Sequence, residues 1–195
     1  LAGIAQHARH TTHAAETIFE SIAIEDIQRA ADLLRPVYER TAAHDGYVSF
    51  EVAPYLAHDT QRTITDAKRL WRAINRKNVM IKVPATPAGI SAIRKLTSEE
   101  LNINVTLLFA QSAYEAVALA YLEGLEMYAA SGGDLRSVAS VASFFVSRID
   151  AVIDAKLAAF GSDAARAASA KALEGQIAIA NARLAYAGYQ ELLKS

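Results

Sequence analysis

The sequence predicts an α/β fold with parallel strands, built as a (β/α)8 TIM barrel that is incomplete here. Three observations carry this reading. Four short runs rich in Val, Ile and Phe alternate with helix-patterned stretches. Each strand–helix repeat takes about 25–35 residues, the size of one βα unit. Each β-rich run also places polar residues on one alternating face and mostly apolar residues on the other, as a barrel with a polar interior under a helical coat requires.

In chain order, residues 24–43 read as a helix with Ile24, Ile27, Leu33, Leu34 and Val37 inward and Pro36 bending it. The first strand is residues 47–53 (YVSFEVA), with Ser49 and Glu51 on one face. Residues 59–75 follow as a helix, with Ile64, Ala67, Leu70, Trp71 and Ile74 at spacings of three and four. The second strand, residues 79–85 (VMIKVPA), places Met80, Lys82 and Pro84 together, opposite Val79, Ile81 and Val83. Pro87 opens a helix over 87–96 with Ile90, Ile93 and Leu96 on one side. The third strand, residues 103–109 (INVTLLF), aligns Asn104, Thr106 and Leu108. Residues 111–130 form a helix with Tyr114, Val117, Ala118, Tyr121, Leu122 and Leu125 inward, ended by Gly132 and Gly133. The fourth strand, residues 138–146 (VASVASFFV), aligns Val141, Ser143 and Phe145. Residues 148–160 and the Ala-rich stretch 162–193 complete the helical pattern.

A doubly wound open sheet is the competing architecture. No Gly-rich phosphate loop follows any strand, which weighs against its nucleotide-binding form. A full barrel needs eight strands and about 250 residues. Four strands in a chain of 195 residues therefore lead us to expect one partial barrel domain over 1–195, a segment of a longer protein.

Composition narrows the function classes. The chain is 52% hydrophobic with net charge −1, which gives no footprint for a nucleic-acid or membrane-surface partner. Cysteine is absent, so thiol nucleophiles, thiolate metal sites and disulfide frameworks are excluded. No apolar run approaches the length of a membrane span and no secretory signal pattern is present, so a cytoplasmic location is expected.

Lys82 is the anomaly, a charged amine inside an apolar strand. Burying an ammonium without a partner is costly and favours the neutral amine, a nucleophile for carbonyl carbon. An ion pair with Glu51 explains the same pattern, and both readings stand on the residues alone. Glu51 suits a general base or a water-orienting carboxylate. Asn104 and Thr106 suit hydrogen bonding to one inward ligand or to the core itself. Ser143 and Arg148 flank a strand-to-helix junction whose free N–H groups suit an anion; Arg148 equally suits a surface ion pair. His7, His10 and His13 are three apart but lack an acidic ligand at matching spacing, so we expect no metal site. Tyr114, Tyr121 and Tyr128 read as a helix-packing stripe.

Taken together, VSFEV, NVMIKVPATPAGI, INVTLLF and VASVASFFVSRID resemble the transaldolase family of class I aldolases, in order from about Ile24 to at least Ala155. The flanking residues 23–41 and 51–60 resemble its bacterial long-form members, some of which are fused to a phosphoglucose isomerase. The resemblance implies that Lys82 is the Schiff-base lysine, that Glu51 and Thr106 hold the catalytic water, that Asn104 and Ser143 contact substrate, and that Arg148 binds its phosphate. The strands here would be the third to sixth of the barrel. It also implies transfer of a dihydroxyacetone unit from sedoheptulose 7-phosphate to glyceraldehyde 3-phosphate in the pentose phosphate pathway, with no cofactor. The alternatives are a fructose-6-phosphate aldolase-like lyase and a non-catalytic barrel segment. The family's first-strand aspartate, second-strand Thr-Asn-Pro motif and seventh-strand arginine have no counterpart in the chain, so these 195 residues alone are expected to be inactive.

Overall fold

The computed structural model describes residues 14–162 and 164–194. Its helices are α1 (Ala14–Arg40), α2 (Thr60–Ile74), α3 (Pro87–Thr97), α4 (Gln111–Ala130), α5 (Ser147–Ala158), α6 (Ala164–Leu173) and α7 (Ile177–Leu192). Its strands are β1 (Val48–Glu51), β2 (Val79–Pro84), β3 (Ile103–Leu108) and β4 (Ser140–Phe144), all parallel, in the order β1-β2-β3-β4. A doubly wound sheet reverses its strand order at a switch point. No reversal occurs here, so the sheet is an arc of a (β/α) barrel. Among the described residues β1 and β4 are each paired on one side only.

Local chemistry sets the boundaries. Asp59 caps α2, its Oδ1 accepting from Arg62 N at 2.9 Å, and Asn75 closes that helix in the left-handed region at φ 49°. Thr86 caps α3, accepting from Gly89 N at 3.0 Å, with Pro87 in the first turn. Gly175, at φ +67°, separates α6 from α7 within the Ala-rich stretch.

The core lies between the sheet's outer face and the helices. Val79, Ile81, Val83, Ile103, Val105 and Leu108 are buried against Ala67, Leu70 and Ile74 of α2, Ile93 and Leu96 of α3, and Tyr114 and Val117 of α4. Fully burying a Val, Leu or Ile side chain contributes about 1.5–3 kcal/mol, so this apolar layer supplies the main drive for the sheet to close under its helices. Gly124 of α4 lets α3 approach closely; a Cβ there would lie 2.7 Å from Thr97 Cβ.

The first helix departs from the sequence reading. Within the described residues it runs from Ala14 through Pro36 to Arg40. Ala31 is its fully buried residue, with Ile24 and Ile27 packed beside it, whereas Leu33 is 79% exposed and Leu34 is also exposed. The buried stripe steps from Ile24 through Ile27 to Ala31, which leaves Leu33 on the opposite side. On α4 the stripe likewise runs through Tyr114, Val117, Ala120 and Gly124, and Leu122 is exposed.

At the N-terminal end of the sheet one side chain ties three strand starts. Asn102 donates to Lys77 O at 3.2 Å and Val79 O at 3.1 Å, and accepts from Ala139 N at 2.8 Å. Asn78 joins the same end to α1, donating to Ala31 O at 2.8 Å and to Gly46 O at 2.9 Å.

Candidate active site

The inner face of the sheet carries a row set by strand register. Glu51 pairs with Lys82, Lys82 with Asn104, and Asn104 with Val141. Neighbouring residues of parallel strands point the same way, so the Lys82 and Glu51 side chains meet, with Nζ 3.3 Å from Oε2. Among the described residues the Lys82 side chain is 29% exposed and that of Glu51 46%. The ion pair is therefore present, partly exposed among the described residues.

Asn104 is held from both sides. Its Nδ2 donates to Ser49 Oγ at 2.9 Å, and its Oδ1 accepts from Ser143 Oγ at 2.7 Å. The three side chains form one polar bridge from β1 to β4. Thr106 sits one step further along β3, level with Pro84, and is 2% exposed.

Beyond Thr106 strand β3 bulges. Its pairing with β4 shifts between Val105 and Leu108, and Leu107 takes a positive φ of 57°. The bulge reverses the side-chain phase. Leu108, expected inward with Asn104 and Thr106, instead joins the outer core, fully buried and level with Phe144. Phe109 is brought against Phe145, the rings stacked at 4.9 Å and 9° between planes. The Arg148 guanidinium lies 4.4 Å from the Phe145 ring centroid, within cation–π range.

Arg148 occupies the first turn of α5, which no side chain caps. Asp150 lies in the same turn and would oppose an anion there, but its Oδ1 accepts from Ala178 N at 3.1 Å at the start of α7. Asn181 of α7 donates to Phe109 O at 2.7 Å, so α7 braces both sides of this corner.

The loops at the strand C-termini are tied together. Thr86 Oγ donates to Ala57 O, and Thr60 Oγ donates to Ala88 O at 2.8 Å. These bonds hold the β1–α2 and β2–α3 connections beside each other around the row. A separate cavity of about 560 Å3 between α4, α7 and β4 contains none of the candidate residues. Tyr114, Tyr121, Leu122 and Tyr186 make its lining largely apolar, which suits packing and offers no chemistry for carbonyl carbon.

Among the described residues no three His, Cys, Asp or Glu side chains are grouped to hold a metal; His7, His10 and His13 lie outside them. Ser49, Phe109 and Phe145 are site neighbours to which the sequence alone assigned no role. Ser49 shares the strand phase of Glu51, and that was its available signal.

The family model described as Transaldolase/Fructose-6-phosphate aldolase matches residues 2–195. Transaldolase 2 of Nostoc sp. is 48% identical over 182 residues, covering 91% of this chain and 48% of the relative. Transaldolase 1 of Streptomyces avermitilis is 52% identical over 167 residues, covering 86% of this chain and 43% of the relative. Transaldolase of Thermobifida fusca is 49% identical over 170 residues, covering 87% and 45%. The chain thus spans about half the length of the curated relatives it matches.

Proposed function

The chain belongs to the transaldolase/fructose-6-phosphate aldolase family, and on that premise we propose that the complete protein containing it is a transaldolase acting through a Schiff base on Lys82. The observation that carries the reading is the Lys82–Glu51 pair, an amine and a carboxylate 3.3 Å apart in the middle of a polar inner face. The amine attacks the ketone carbon of a ketose phosphate to give a carbinolamine, which loses water to form an imine. A base of the complete protein takes the β-hydroxyl proton as the bond between the α and β carbons breaks, and the iminium nitrogen accepts that bond's electron pair. An aldehyde leaves, and a three-carbon enamine stays on Lys82. Attack of the enamine on an acceptor aldehyde forms the new C–C bond, and water then releases the product ketose and the free amine.

Glu51 is placed to take the proton that the amine loses and to return protons through water to the carbinolamine hydroxyl. Thr106, one step along the inner face, is the partner we assign to that water. Asn104 and Ser143 bind substrate hydroxyls, and Arg148 at the start of α5 receives the phosphate. We take sedoheptulose 7-phosphate as donor and glyceraldehyde 3-phosphate as acceptor, a step of the pentose phosphate pathway; the family match supports a transaldolase reading. The assignment of Glu51 with Thr106 to a bound water favours transfer over simple release of dihydroxyacetone.

Borohydride reduction in the presence of sedoheptulose 7-phosphate tests the reading. A reduced three-carbon adduct mapped to Lys82 by peptide mass, with transfer to glyceraldehyde 3-phosphate in the unreduced enzyme, is expected. No adduct on Lys82 would retire the Schiff-base reading; an adduct with dihydroxyacetone release and no transfer would favour a lyase.

A further inference from the structure

Ser49 lies two strands from Asn104, yet the two side chains are joined by a hydrogen bond of 2.9 Å. The register locates that bond. Ser49 is level with Met80, and Asn104 is level with Lys82, so the bond crosses β2 between Met80 and Lys82. Met80 is 3% exposed although it shares the strand phase of Lys82, which fits a residue roofed by this bridge. An amide offers two N–H donors and two acceptor lone pairs. One donor goes to Ser49 and one acceptor site to Ser143, which leaves one of each for a ligand.

We propose that Ser49 is a positioning residue. It acts by holding the Asn104 amide flat across β2, with the free donor and acceptor aimed at the groups attached to the carbon that Lys82 attacks. The terminal torsion of Asn is broad, so an amide tethered on one side only samples a wide arc. Ser143 supplies one tether and Ser49 the other. The same bridge closes the N-terminal side of the Lys82 stem and limits the directions from which the amine reaches a carbonyl. Ser49 itself is not asked to touch substrate. The proposal rests on the transaldolase reading above.

A double-mutant cycle in the complete protein tests it. Ser49→Ala is expected to lower kcat/KM for dihydroxyacetone transfer by about 2- to 12-fold, the range of one net hydrogen bond. Ser49→Thr, which keeps the hydroxyl, should recover most of that loss. In an Asn104→Ala background, Ser49→Ala should have no further kinetic effect, because the group it holds is gone. Should Ser49→Ala fail to fold, Ser49→Cys, whose thiol is a weak donor and acceptor, replaces it in the same cycle. Parental kinetics in the single variant, or an undiminished loss in the Asn104→Ala background, overturns the positioning role. A loss of thermal stability equal in both backgrounds without a kinetic change also overturns it. If the parent protein itself forms no reducible adduct, the function reading fails instead, so the two failures are distinct.

Discussion

Arg148 stacks its guanidinium on the ring of Phe145, 4.4 Å from the centroid, and Phe145 stacks in turn on Phe109. Among the described residues no carboxylate forms a salt bridge with the Arg148 guanidinium. Arg148→Ala in the complete protein is expected to lower kcat/KM for phosphorylated donors roughly 10- to 150-fold, mostly through KM, with a much smaller effect on dihydroxyacetone itself. Arg148→Lys should recover little, because a point charge neither stacks nor forms a bidentate pair. Steady-state kinetics on both donor types checks this; an equal penalty on both makes Arg148 structural.

The Lys82–Glu51 pair separates two steps. Lys82→Ala should abolish the reducible adduct. Glu51→Gln keeps a hydrogen-bonding group of the same size but removes the base, so turnover should fall by about 10²–10⁴-fold while slow adduct formation persists. Time courses of borohydride trapping read both. Adduct in Lys82→Ala at the parental level would end this assignment.

Gly89 ties helix α3 to the strand that bears Lys82. A Cβ at this position would lie 1.9 Å from Pro84 O, a backbone atom with nowhere to move. Gly89→Ala is expected to destabilise the fold by roughly 1–3 kcal/mol through overpacking, read as a lower urea midpoint. Unchanged stability would mean that the end of β2 shifts freely.

Acid sensitivity has a local source at Glu99. Burial raises its carboxyl, and hydrogen bonds and charge from Lys68 and Lys95 outweigh burial, so the group is held below the usual carboxylate range. A folded-state value below the unfolded one adds stability that is fully present above about 4.3 and is lost as pH falls through the folded value. The stability advantage of the parent over Glu99→Gln should therefore be constant near neutrality and shrink below about pH 4.3. Urea midpoints across that window check the sign; an advantage that grows on acidification contradicts it.

Much of the inner face was legible because alternation is a backbone property. Ser49, Glu51, Lys82, Asn104, Thr106 and Ser143 sit on the expected strands and share the expected face. The bulge was not legible, since Leu107 adopts φ 57° without the glycine that normally signals it. The sequence therefore puts Leu108 on the inner face, whereas the structure turns it into the outer core. The Ser49–Asn104 bond was not legible either, because it depends on the register of three strands at once and no local pattern encodes register. Leu33 and Leu34 misled in a different way. Apolar residues on a helix record which side avoids water in the final assembly, and these two are exposed among the described residues.

Asn102 gathers the starts of three strands at the end of the sheet opposite the strand C-termini. Under the proposed function, Asn102 holds the strand starts while the chemistry is carried by the inner face further along the same strands. For directed evolution this is a favourable partition. Libraries confined to the loops that follow β1, β2, β3 and β4 can search new acceptor aldehydes while the anchoring amide, and the stability margin it protects, stays out of the mutated set. Asn102 belongs on the list of positions held fixed, beside Lys82, although it never meets a substrate.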